Sequence, residues 1–225
     1  MGLFSRSGRN AIKPKQFILN YTYSLHLNKR LTDMQDNPIY FIDTDKKSRD
    51  HFVRIRAGRD KKGPVVANIG TNDTKREFRF RVGQDPEEHL VENKSEKKDF
   101  KWTWTLPNGV GPSKNMIWVY TKDLDLDPHG KHSISRRALK LFDMDTNRAI
   151  AIFVNERVEL TKQGVFTING EDCQRYGPAF ETAVLTSALA IIQQVGLTGS
   201  GLGEIVVEST VGTVTEQAIM AAFAG

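Results

Sequence analysis

A chain of 225 residues with 39% hydrophobic and 26% charged side chains has enough apolar matter for a buried core and too many charges for a membrane channel. Its formal net charge of +5 favours acidic partners such as phospholipid headgroups or nucleic acid, although charge of this size also simply serves solubility. Cys173 is the single cysteine, which excludes an intramolecular disulfide, a cysteine-ligated zinc site and a redox pair.

The first residues, MGLFSRSGRN, contain no apolar run of secretory length, so the expected location is cytoplasmic, nuclear or at a membrane periphery. Gly2 suits N-myristoylation, but Arg6 stands where that signal wants Ser or Thr. Residues 1–15 read as a basic arm preceding one large domain.

From about Gln16 to Gly170 apolar residues recur with a period of two between turn-forming residues, the mark of antiparallel strands. QFILNYTYS and NPIYFID are the first two. HFVRIRAG follows, with Val53 and Ile55 on one face and Arg54 and Arg56 on the other. Then come GPVVANIG and REFRFRVG, in which Phe78, Phe80 and Val82 oppose Glu77, Arg79 and Arg81. One face of each strand meets a core and the other meets water. DFKWTWT, NMIWVYT, RALKLFD, RAIAIFVNE and GVFTING complete ten predicted strands.

Between them, DKKGP at 60–64, DPEEH at 85–89, the charged stretch Glu92 to Asp99, PNGVGPS at 107–113 and DLDLDPHG at 123–130 read as loops. In DFKWTWT the rings of Phe100, Trp102 and Trp104 share one face and Lys101 points away. That pattern fits core better than a base-stacking platform, which needs aromatics and cations together.

Gly177 and Pro178 close the strand regime, and Pro178 suits a first helical turn. The spacing predicts a helix from Pro178 to Val195, with apolar residues around most of its circumference, so it is expected to be buried on nearly all sides. Eighteen helical residues reach only about 27 Å, and Thr182, Thr186, Ser187, Gln193 and Gln194 suit lipid poorly, so no transmembrane span is expected. Gly196, Gly199, Gly201 and Gly203 then open a flexible passage. EIVVEST reads as a strand, and Thr213 with Glu216 forms a capping box for a last helix. Residues 197–225 are therefore a tail outside a domain of 16–196.

HFVRIRAGRDKKGPVVANIG, RALKLFDMDTNRAIAIFVNE, KQGVFTING and the helix FETAVLTSALAIIQQV together resemble, in their order, the tubby C-terminal-like superfamily, which includes LURP-one-related proteins and phospholipid scramblases. The resemblance spans about Phe52 to Val195. It implies a closed antiparallel β-barrel of about twelve strands around a central hydrophobic helix, and a non-enzymatic module that binds lipids or phosphoinositides through basic residues. The family's helix usually ends the domain, whereas about thirty residues follow it here.

For function, the strongest chemical signal is cationic. Arg54 and Arg56 project together from one strand, Arg79 and Arg81 from another, and Arg59, Lys61 and Lys62 extend the first pair into a turn. Guanidinium groups spaced by two can grip phosphate oxygens bidentately, and if the strands lie side by side they form an anion-binding patch. Charged strand faces also discourage edge pairing, so the same residues fit a plain solvated surface.

DLDLDPHGKHSI opens like a calcium loop at Asp123, Asp125 and Asp127. It fails at Pro128, where the turn wants Gly, and at Ile134, where a bidentate Glu should close it. His26, His51, His89, His129 and His132 show no metal-ligand spacing and read as surface residues. Neither a nucleophile elbow nor a P-loop is present, and GSGLG at 199–203 follows a helix where a dinucleotide fingerprint follows a strand. No catalytic residue, metal or cofactor is therefore expected. A protein partner for the tail, nucleic-acid binding and phospholipid scrambling are the alternatives to headgroup binding.

Overall fold

In the computed structural model, residues 12–21, 28–45, 52–71, 77–83, 88–94, 101–106, 114–124, 126, 138–155 and 162–195 are described. They form twelve strands and one helix. The strands are β1 (Lys15–Tyr21), β2 (Lys29–Thr32), β3 (Pro38–Thr44), β4 (Val53–Ala57), β5 (Val65–Thr71) and β6 (Glu77–Val82), then β7 (His89–Asn93), β8 (Lys101–Thr105), β9 (Asn115–Thr121), β10 (Ala138–Asp143), β11 (Arg148–Asn155) and β12 (Lys162–Ile168). Each pairs with its neighbours in sequence, and β1 pairs antiparallel with β12, from Lys15 opposite Ile168 to Asn20 opposite Lys162. The sheet thereby closes into a barrel, which removes both edges.

The alternation read from the sequence decides which side chains enter. Phe78, Phe80 and Val82 of β6 and Val53 and Ile55 of β4 are buried within, as are Trp102 and Trp104 of β8. The two tryptophans are thus core; Phe100 lies outside the described residues.

The helix α1 (Gly170–Val195) supplies the centre of that core. It begins eight residues before the predicted start. The Asn169 side chain accepts from the Glu171 amide at 2.9 Å, capping the first turn. At Gly177 the backbone adopts φ 75°, which breaks α1 into two limbs, and Pro178 starts the second. Every residue from Phe180 to Ile192 is buried, which an all-round apolar surface requires.

Three of the polar side chains that the helix carries inside find partners. Thr186 Oγ1 donates to Thr182 O at 2.6 Å and Ser187 Oγ to Val184 O at 3.0 Å. Glu181, 4% exposed at its side chain, meets Lys15 Nζ of β1 at 2.5 Å.

Two strands escaped the sequence pattern. β2 places Lys29, 2% exposed, at an inward position, and β7 falls where DPEEH and the charged stretch read as loops. In β7 the inward residues are His89 and Val91 while Leu90 is 37% exposed. His89 is therefore not a surface residue. On β9, β10 and β11 the outer face is buried too: Leu124 covers Ala138, Ile152 and Val154, and Phe142 packs with Ile117 and Val119.

Candidate anion-binding face

The two arginine-bearing strands are not neighbours; β5 runs between them. Register nevertheless aligns their side chains, because Arg54 pairs with Asn68 and Asn68 with Arg81, so the three stand in one row across the outer wall. At about 4.8 Å per strand the two arginine backbones lie about 10 Å apart, within the joint reach of two guanidinium groups. Arg79 faces Gly70 of β5, which puts no side chain beside it.

Arg59, Lys61 and Lys62 occupy the β4–β5 turn, at the end of the face. Arg56 Nη1 donates to Gly63 O of that turn at 3.2 Å, so Arg56 holds the turn against the wall.

Anions already stand among these cations. Arg54 meets Asp45 at 3.7 Å, Arg59 meets Asp60 at 3.9 Å and Lys61 meets Asp43 at 3.6 Å. Glu88 splits its carboxylate, with Oε1 2.7 Å from Arg81 Nη2 and Oε2 3.5 Å from Arg79 Nη1. Asp43, Asp45, Asp60 and Glu88 therefore stand among the seven cations, which keep a positive excess over them. Most of these pairs are long and solvated, and exposed pairs of this kind contribute roughly 0–1 kcal/mol, so an incoming anion can exchange with them.

Beyond Glu88 the wall loosens. β7 and β8 pair through Glu92–Thr103 and Asn93–Trp102, and the Lys94 amide donates to Lys101 O just beyond them. Where they part, a cavity of about 510 Å³ opens, lined by Glu88, His89, Leu90, Trp104 and Met144 among others. Nothing in the sequence marked this cleft, because it depends on where a ladder stops.

The remaining predicted features fall as follows. Asp123 meets Lys140 Nζ at 2.7 Å, a bond that competes with any cation for its carboxylate. Asp125, Asp127, His26, His51, His129, His132 and the tail 197–225 lie outside the described residues. Among the described residues, no group of three His, Cys, Asp or Glu side chains could hold a metal ion, and no helix is long and apolar enough to cross a membrane.

The fold and face thus define a class: a closed twelve-stranded antiparallel barrel built on a central helix, carrying a basic outer wall at β4–β6. No protein-family model matches the chain, and no curated protein or solved structure matches it significantly.

Proposed function

We propose that this protein is a non-enzymatic member of the tubby C-terminal-like superfamily that binds anionic lipid headgroups, phosphoinositides among them, at a cytoplasmic or nuclear membrane surface. One observation carries this reading: Arg54, Asn68 and Arg81 form a single cross-strand row on the outer wall, with Arg79 beside it over Gly70. Side chains on rigid strands hold their donors in place, and guanidinium forks match phosphate oxygens. The helix serves this face indirectly, because filling the barrel fixes the register that aligns the row. No cofactor enters the reading.

Cosedimentation with neutral and anionic vesicles over a salt series tests it. Binding should require the anionic lipid, weaken as salt rises, and fall in the double variant Arg54→Gln/Arg81→Gln. Equal binding to neutral vesicles, or an unaffected double variant, would sink the proposal. Tighter retention on single-stranded DNA or RNA than on vesicles would transfer the face to nucleic acid.

A further inference from the structure

Glu88 shares its carboxylate between two arginines of this face, and it sits where a ligand's oxygens would have to go. Its oxygens take Arg81 Nη2 and Arg79 Nη1 separately, much as two oxygens of a bound phosphate would. Arg81 Nε, buried against the wall, has no acceptor. Any anion that engages Arg79 and Arg81 must first displace this resident carboxylate.

Resting on the headgroup reading above, we infer that Glu88 is a selectivity residue: it admits phosphomonoester headgroups and turns away phosphodiester ones. A phosphodiester brings one negative charge, as Glu88 does, and gains little by the exchange. A phosphomonoester carries about −1.5 to −2 at neutral pH and offers three strong acceptor oxygens, so it outcompetes a carboxylate for the same guanidinium groups. Asn68 and Arg54 then meet the oxygens that a carboxylate does not have. Arg54's own counterion, Asp45, stands 3.7 Å away with both side chains partly solvated, and yields readily.

Glu88 also has somewhere to go. It lines the 510 Å³ cleft between β7 and β8, so its side chain can turn aside without entering the packed core.

The experiment compares vesicles of phosphatidylcholine doped with phosphatidic acid, a phosphomonoester, or with phosphatidylglycerol, a phosphodiester, at matched surface potential. The wild-type protein should prefer phosphatidic acid. Glu88→Gln should cut that preference by about fivefold, mainly by raising phosphatidylglycerol binding, the scale expected when one exposed ion pair is removed. Glu171→Gln adds the same unit of charge on the first turn of α1, away from the face, and should leave the preference unchanged.

If Glu88→Gln and Glu171→Gln behave alike, Glu88 is only a bystander charge and the inference is overturned while headgroup binding stands. If the wild-type protein binds neither vesicle, headgroup binding itself falls and the inference with it. Soluble glycerol phosphate should compete only weakly. Competition at the same phosphate concentration as the vesicles would place the ligand in solution and overturn the lipid assignment.

Discussion

Trp118 Nε1 donates to Ser187 Oγ at 3.0 Å, and both residues are buried, so a polar bond inside the barrel fastens β9 to the middle of the helix. Ser187 also donates to Val184 O, which leaves its oxygen free to accept. Ser187→Ala therefore strands an indole N–H away from water, at a cost of about 1–3 kcal/mol. The midpoint of denaturant unfolding should fall accordingly, with the slope unchanged. A midpoint within error of wild type would mean that the helix does not depend on this bond.

How much of this was legible depends on how far each face kept to a rule. Ten strands announced themselves because their apolar residues alternate, and all ten lie in the barrel. β2 and β7 did not, for opposite reasons: Lys29 takes an inward position meant for an apolar residue, and Leu90 takes an outward one. The first limb of α1 hid because EDCQRY is polar and only the Asn169 cap announces it. At the candidate site, the arginines were legible as residues, but their alignment was not. Whether β5 separates or unites them is a matter of pairing, and Glu88, lying in what read as a loop, became visible only through its distance to Arg81.

Gly164 gives a test of packing that the pattern also concealed. An added Cβ there would lie 2.3 Å from Val154 O and 2.6 Å from Phe153 Cζ, and the ring of Phe153 packs at a tilt against Phe166, 4.5 Å between centroids. Neither neighbour can yield cheaply, since one is ladder backbone and the other is core. Gly164→Ala should destabilise the fold by about 1–3 kcal/mol, the range typical of overpacking. Gly83→Ala, with open space around it but φ +66°, should cost less, about 1 kcal/mol of backbone strain. A thermal melt that ranks the two in reverse would show that the barrel relaxes at Gly164.

Cys173 lies on the first limb of α1. Burial pushes its thiol up to about 11, with the Glu181 carboxylate adding to the shift. Thiolate is the reactive form, so at pH 8 the folded protein should react with iodoacetamide on the order of a hundredfold more slowly than a free cysteine. Mass spectrometry of a timed reaction reads this directly, and denaturant should restore the ordinary rate. Complete labelling within minutes under native conditions would mean that this limb of the helix opens.

Lys29 is the group that should give stability a pH dependence. Its Nζ has no hydrogen-bond acceptor and stands 5.5 Å from the Tyr21 ring centroid; burial lowers its pKa from 10.5 to about 7. A cation over one aromatic face recovers only about 1 kcal/mol, less than the loss of hydration, so desolvation sets the direction. Between the two values the unfolded chain holds a proton that the folded chain does not. Stability from this group is therefore complete above about 10.5 and is lost as pH falls towards 7, where the buried amine takes up its charge. Lys29→Met should be the more stable protein at pH 7, by about 2 kcal/mol, and the difference from wild type should shrink steadily as the buffer is raised towards pH 10. Melting curves of the two proteins over that range make the comparison, because other titrating groups are common to both. A constant difference would show that Lys29 keeps its charge in the folded barrel and finds compensation there.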